Sequence, residues 1–370
     1  IDNPAGQYLV DYARDSFNIA VPPLVVMIIM LVVMLIFLAL SALVLIWLER
    51  KISARIQNRM GPMLTGPGML KNGSMWTGGL FQTIADAIKL LLKELIIPGR
   101  ADPVPFVLAP VLIFGVCVSA FLVIPFAPAF SVVDLNIGIL YVISVSSLTV
   151  LSIIMAGWSS NNKYSLLGGM RAIAQMVSYE IPLVLSAVVV VMTVGSLNAD
   201  NIAKAQEGWN WFVFQPWGFA AFAIFFIGAL AETNRSPFDL PEAESEIIAG
   251  YFTEYSGLKF GMFFMAEFIE MVTISAIVTI LFFGAWHIPF LSTSALLSMF
   301  DFLGTTGSNI LLMLIHVGVF FAKVVFFLWF QMTIRWTLPR FRYDQIMDLG
   351  WKVLLPLSLS NILITGLILI

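Results

Sequence analysis

The chain has 370 residues, of which 60% are hydrophobic and only 11% are charged, with a formal net charge of -3. A water-soluble globular domain does not carry so little charge, so the composition excludes a soluble enzyme or binding module and leaves an integral membrane protein. The few charges are segregated by loop, so the net charge points to no acidic or basic partner, and a nucleic-acid role has no support.

About 20 apolar residues cross a bilayer as a helix, and such runs are predicted at 24–47, 106–126, 137–158, 177–194, 212–230, 258–286, 310–334 and 353–370. The expected fold is all-α, a polytopic transmembrane bundle of about eight spans with amphipathic helices at the interface. No internal repeat or low-complexity linker interrupts it, so residues 1–370 read as a single membrane domain. Nothing near the start reads as a cleavable signal peptide, because the first apolar span is too long for one.

Long loops fall at about 49–104, 159–181, 231–257 and 335–352. If eight spans alternate, these loops share one side and hold nearly all the Lys and Arg, whereas Arg14 and Lys204 lie on the other. The positive-inside rule then places the long loops in the cytoplasm and both termini outside.

The first loop opens Glu49-Arg50-Lys51, with Arg59 before the turn at Gly61-Pro62. Over 80–97 the pattern turns helical, with Gln82, Asp86, Lys89 and Lys93 on one face. That face is too charged to span, so the helix lies in the interface plane or packs as a strut against a partner. In the second loop Arg171 precedes Ser178-Tyr179-Glu180, and Pro182 follows at the foot of a span, where an irregular helix around a polar cavity is expected.

The third loop runs from Glu232 through Arg235, Asp239, Glu242, Glu244 and Glu246 to Glu254, a dense acidic segment in a chain that otherwise avoids charge. Asp239 as N-cap, Pro241 in the first turn and Glu242 at the capping-box position read as a helix start. Capping does not account for Glu244, Glu246 and Glu254, and like charges this close raise one another's proton affinity. Glu267 and Glu270 follow three apart on one helical face. With Glu180 and Glu232 they suggest a line of protonatable groups entering the membrane.

Lys323 lies deep in the seventh span on the same face as His316. It either snorkels to the cytoplasmic surface or pairs with an intramembrane glutamate. Arg335 to Lys352 mixes arginines, aromatics and prolines at the interface. Cys117 is the only cysteine, which rules out an intrachain disulfide or a cysteine-ligated iron–sulfur cluster in this chain alone. His287 and His316 are the only histidines; the intramembrane His316 reads as a packing residue, and no metal site is predicted.

Taken together, Glu49-Arg50-Lys51, Gln57 to Pro62, Ala85 to Leu90, Ser178-Tyr179-Glu180, Ala231 to Glu246, Phe264-Met265-Ala266-Glu267 and Arg335 to Lys352 resemble the quinone-site membrane subunit of complex I, the H subunit in bacteria and subunit 1 in mitochondria. The resemblance extends over nearly the whole chain and implies a quinone tunnel at the interface with the peripheral arm. By that resemblance Arg50, Arg59, Arg171, Arg235, Asp239, Glu242, Glu244, Glu246 and Phe264 line or shape the tunnel. Glu180, Glu232, Glu254 and Glu267, with Glu270 and Lys323 added from their intramembrane positions, form the path coupling quinone chemistry to proton translocation.

The resemblance further implies that the chain holds no redox centre or catalytic residue of its own. Quinone is the substrate, while iron–sulfur clusters and any flavin reside in partner subunits. The expected partners are the peripheral-arm iron–sulfur and quinone-site subunits, small membrane subunits, antiporter-like pump subunits and lipid, in a bacterial cytoplasmic (inner) membrane. NADH is the default donor. Two alternatives are the membrane anchor of an energy-converting hydrogenase and a stand-alone transporter, the latter disfavoured by the lack of repeated halves. The chain departs from the family pattern between Met69 and Gly79, which looks like an insertion, and in the late position of Pro98 after Lys93-Glu94.

Overall fold

A computed structural model describes residues 23–63, 65, 79–128, 131–240, 249–289, 293, 296 and 304–369. Among them α1 spans Pro23–Ile56, α2 Phe81–Leu92, α3 Pro103–Phe121, α4 Gly138–Ser159, α5 Lys163–Val194 and α6 Ala199–Ala205. After these, α7 spans Pro216–Glu232, α8 Gly257–Phe282, α9 Gly304–Thr337, α10 Tyr343–Asp348 and α11 Leu355–Leu369, with a π-helical stretch at Leu349–Leu354 joining the last two.

Seven helical segments among the described residues are long and apolar enough to cross a membrane. The remaining predicted span is α7, apolar but only 17 residues long, or about 26 Å at 1.5 Å per residue. Proline at its first position starts it, directly after a 3-10 turn at Phe212–Phe214. Gly218 lets the two meet, since a Cβ there would stand 2.0 Å from the Phe212 carbonyl oxygen.

Helix replaces predicted loop in three places. α1 continues past the apolar run to Ile56, because Ser53 and Ala54 still turn a buried face to the bundle. α5 begins at Lys163, where Asn162 caps it by accepting the Tyr164 amide at 3.0 Å, and it runs unbroken through Pro182 to a left-handed Gly195. The run that reads as a loop is therefore helical, and Gly168 and Gly169 in it serve packing. A Cβ at Gly168 would lie 2.6 Å from the Gly250 Cα, and one at Gly169 3.5 Å from the Gly157 Cα. The last span likewise starts at Tyr343, so only residues 338–342 remain outside helix between α9 and α10.

α8 forms the centre of the bundle, packing against α1, α2, α3, α7 and α9, and most of its residues are buried. Thr273, Ser275 and Thr279 keep their hydroxyls satisfied by donating to the carbonyls four residues back, at 3.0, 2.8 and 2.7 Å. Around it an aromatic cluster joins Phe222, Phe282, Phe283 and Phe327, with Phe283 and Phe327 ring centroids 4.8 Å apart.

Polar contacts gather the helix ends into two sets. At one end the Asp102 amide donates to Ser159 O (3.0 Å), joining the start of α3 to the end of α4. There too Asn162 Nδ2 donates to Glu254 (2.7 Å), ahead of α8. At the other end Asn198 Nδ2 donates to Asp134 (2.8 Å), and Gln206 Nε2 to Ile280 O (2.7 Å). Arg50, Arg235, Arg335 and Arg340 lie at the first end, and Lys204 at the second.

Candidate functional site

The charged end of the bundle is built on Glu49, a buried carboxylate two turns before the end of α1. Its Oε2 accepts from Arg235 Nη1 at 3.2 Å and its Oε1 from Arg335 Nη1 at 2.5 Å, so one carboxylate joins the ends of α1, α7 and α9. The Arg235 guanidinium also sits 4.2 Å over the Phe268 ring of α8, which keeps it dry. Its Nε and Nη2 are buried and find no acceptor among the described residues. Beside it Asp239 is buried and accepts from Arg340 at 2.9 Å.

Between α7 and α8 the chain from Thr233 to Leu240 is mostly buried yet not helical. Such backbone needs internal partners at membrane depth. Gln175 of α5, fully buried, supplies them by donating to Ala231 O and Phe238 O, both at 2.8 Å. Phe341 closes the other flank with its amide on Pro237 O at 3.1 Å. Tyr179 donates to Ile346 O at 2.8 Å, tying α5 to α10 beside Glu180.

From Glu232 toward the second end runs a cavity of about 50 Å³, lined by Glu232, Glu270, Ser146, Thr149 and Thr273 among mostly apolar side chains including Cys117, Ile139 and Leu281. That volume holds a few water molecules. Ser146 is hydrogen-bonded to Glu232, and Ser147 donates to Glu180. Glu232 is within electrostatic reach of Glu180, and Glu270 of Glu232, Glu267 and Arg235. Glu232 and Glu270 thus share the cavity, Glu180 and Glu267 lie within electrostatic reach of them, and Arg235 links Glu270 to Glu49. Carboxylates and hydroxyls beside a volume large enough for water can pass protons.

Other predicted residues stand apart or act as struts. Arg50 pairs with Asp86 of α2 at 2.6 Å. Exposed Arg59 donates to Gln57 at 2.7 Å. Arg171 is half-buried on α5, and Phe264 packs between Phe260 and Phe268. Glu254 holds Asn162, the cap of α5. Glu242, Glu244 and Glu246, with the helix start expected there, lie outside the described residues, as does nearly all of the insertion between Met69 and Gly79.

Lys323 departs from both expectations. It lies toward the second end of the bundle, away from the glutamates, and donates to the carbonyls of Phe283, Ala285 and His287 at 2.7, 2.8 and 2.7 Å. Its direction is set by the turn that follows α8, whose carbonyls it reaches at hydrogen-bond distance. Nearby, burial pushes the His287 imidazole down to about 4, while the Thr293 amide on Glu207 holds that carboxyl below its usual range.

Sequence reasoning did not single out Glu49, Arg335, Arg340 or Gln175 as site residues. An acid at the very end of an apolar helix, followed by two cations, was the available signal for Glu49. Gln175 carried none, since a glutamine at a helix start reads as solvent-facing. Among the described residues no group of three or more His, Cys, Asp or Glu is placed to hold a metal ion, and Cys117 is free and buried.

Residues 28–366 match the family model described as NADH dehydrogenase. The chain is 50% identical over 330 residues to the H subunit of the NADH-quinone oxidoreductase of Dehalococcoides mccartyi strain CBDB1, covering 89% of this chain and 83% of that one. It is 44% identical over 333 residues to NADH-quinone oxidoreductase subunit 8 of Rhodothermus marinus (89% and 92%). To the corresponding H subunit of Carboxydothermus hydrogenoformans it is 46% identical over 331 residues (89% and 85%).

Proposed function

The chain belongs to the NADH dehydrogenase family, as a complex I membrane subunit of the H type, and on that premise we propose that it forms the quinone tunnel and the first part of the proton path. The observation that carries this reading is the approach of Arg235, paired with Glu49 at the charged end, to Glu270, which lines one cavity with Glu232 and has Glu267 and Glu180 within electrostatic reach of the pair. In this reading Arg50, Arg59, Arg171, Asp239, Phe264 and the segment bearing Glu242, Glu244 and Glu246 shape the tunnel, and Glu254 belongs to the path. Quinone is the substrate, and its electrons come from an iron–sulfur cluster of a neighbouring peripheral-arm subunit.

Negative charge reaching the quinone acts on Arg235 and the acidic segment, and the glutamates behind Arg235 respond by taking up or releasing protons. At low dielectric such coupling reaches over several ångströms. The charged end faces the cytoplasm, by the positive-inside rule, in a bacterial inner membrane. Small membrane subunits and antiporter-like pumps then receive the protons' effect through the membrane arm. The relatives are named for quinone reduction, which favours this reading over a hydrogenase-type anchor.

The test is proton translocation in proteoliposomes of the purified assembly with Glu180→Gln or Glu267→Gln. Assembly stays intact and proton-coupled turnover falls about tenfold, a barrier change of about 1.4 kcal/mol. Normal coupled turnover in both variants would remove the glutamates from the path.

A further inference from the structure

The second end of α8 is closed in an unusual way. Beyond Phe282 the chain turns back through Gly284 and Ala285, both with positive φ (65° and 42°). Several of the released backbone groups pair locally. Thr279 O accepts the Phe283 and Ala285 amides, Gly284 O accepts the His287 amide, and Gln206 bridges Ile280 O and the Gly284 amide. The carbonyls of Phe283, Ala285 and His287 all converge on Lys323 Nζ of α9. The Trp211 ring covers the ammonium at 4.2 Å. A Cβ at Gly284 would stand 2.4 Å from that same indole, so the turn is pressed against it.

An ammonium has three N–H donors, and here each meets a backbone carbonyl, a group that takes no proton. No carboxylate partners Nζ among the described residues. A residue relaying protons needs a titratable neighbour in its hydrogen-bond circuit; a residue holding backbone in place needs acceptors that stay fixed. The geometry points to Lys323 as a positioning residue. We infer that it clamps the end of α8 to α9 and to the Trp211 segment, so fixing the helix that carries Glu267 and Glu270.

This goes beyond the proton-path reading, resting on it only where pumping is the readout. Arginine separates the two roles, because it offers five donors and is never deprotonated in a protein. Lys323→Arg therefore keeps protons pumped per electron within about twofold of the parent. Lys323→Gln, which cannot satisfy three carbonyls, speeds hydrogen exchange of the amides at 283–287 by about tenfold or more in the assembled complex. A Gln variant too loose to assemble falls on the same side, since a pure carrier would leave assembly intact.

An assembled Arg variant that reduces quinone without pumping overturns the inference. So does a Gln variant whose exchange at 283–287 is unchanged, and this result decides the matter alone if the Arg variant does not assemble. Should Glu180→Gln and Glu267→Gln both pump normally, the path reading falls while the exchange measurement still tests the clamp.

Discussion

Glu49 answers to two arginines at once, and one of them, Arg235, has two further donors buried without an acceptor among the described residues. Removing the anion that pairs with it among the described residues deprives a buried charge of its partner, which costs on the order of 3–5 kcal/mol. Glu49→Gln is expected to lower the thermal midpoint of the assembled complex sharply, whereas Arg335→Met, at a side chain 20% exposed, costs less. Calorimetry or dye-reported melting of the two variants checks the order. His287 gives a pH-dependent expectation. Its folded value of about 4 lies below the ordinary 6.5, so the folded state binds fewer protons between those values. The stabilisation is complete above about pH 6.5 and is lost as pH falls toward 4. His287→Gln is expected to flatten the fall in melting temperature over that window, and an unchanged slope would refute the assignment.

In α5 a run that read as a loop became helix where the deciding contact was backbone on backbone. Gly168-Gly169 suggests a break when read along the chain, yet Gly250 lies where a side chain at 168 would go, and only a residue without a Cβ lets α5 pass it. Gly168→Ala is expected to cost about 1–3 kcal/mol, seen as a lower melting point or poorer assembly. Gly115 in the middle of α3, with nothing within 4 Å of an added Cβ, is the control. Gly115→Ala is expected to be neutral or slightly stabilising. The apolar spans themselves were legible because composition alone decides which segments enter a bilayer. The helical starts at Lys163 and Tyr343 were not, because polar residues there are tolerated by neighbours far away in sequence.

At the scale of the molecule, the line of glutamates was legible as types and spacings, but not as a meeting place. Glu180, Glu232 and Glu270 come from α5, α7 and α8, and only packing puts Glu232 and Glu270 on one cavity with Glu180 in electrostatic reach. The two-ended distribution of charge was legible too, and it yields a direct test of orientation. Lys163 and Lys204 are exposed at opposite ends. With Cys117 buried and the sole cysteine, Lys163→Cys and Lys204→Cys are expected to react with an impermeant maleimide from opposite faces, Lys163→Cys from the cytoplasmic one. Labelling of both from the same face would refute the alternation.

The short α7 has a consequence for the bilayer around it. A helix of 17 residues falls about 4 Å short of a hydrocarbon slab of about 30 Å. A free helix would make lipid bend to meet it, but here the shortfall is taken up by protein. The chain beyond Glu232 goes on as buried, non-helical backbone held by Gln175. Hydrophobic mismatch is thereby moved from the lipid annulus into the interior, and the insulating layer between the charged surface and the glutamate cavity is thinned by most of a helical turn.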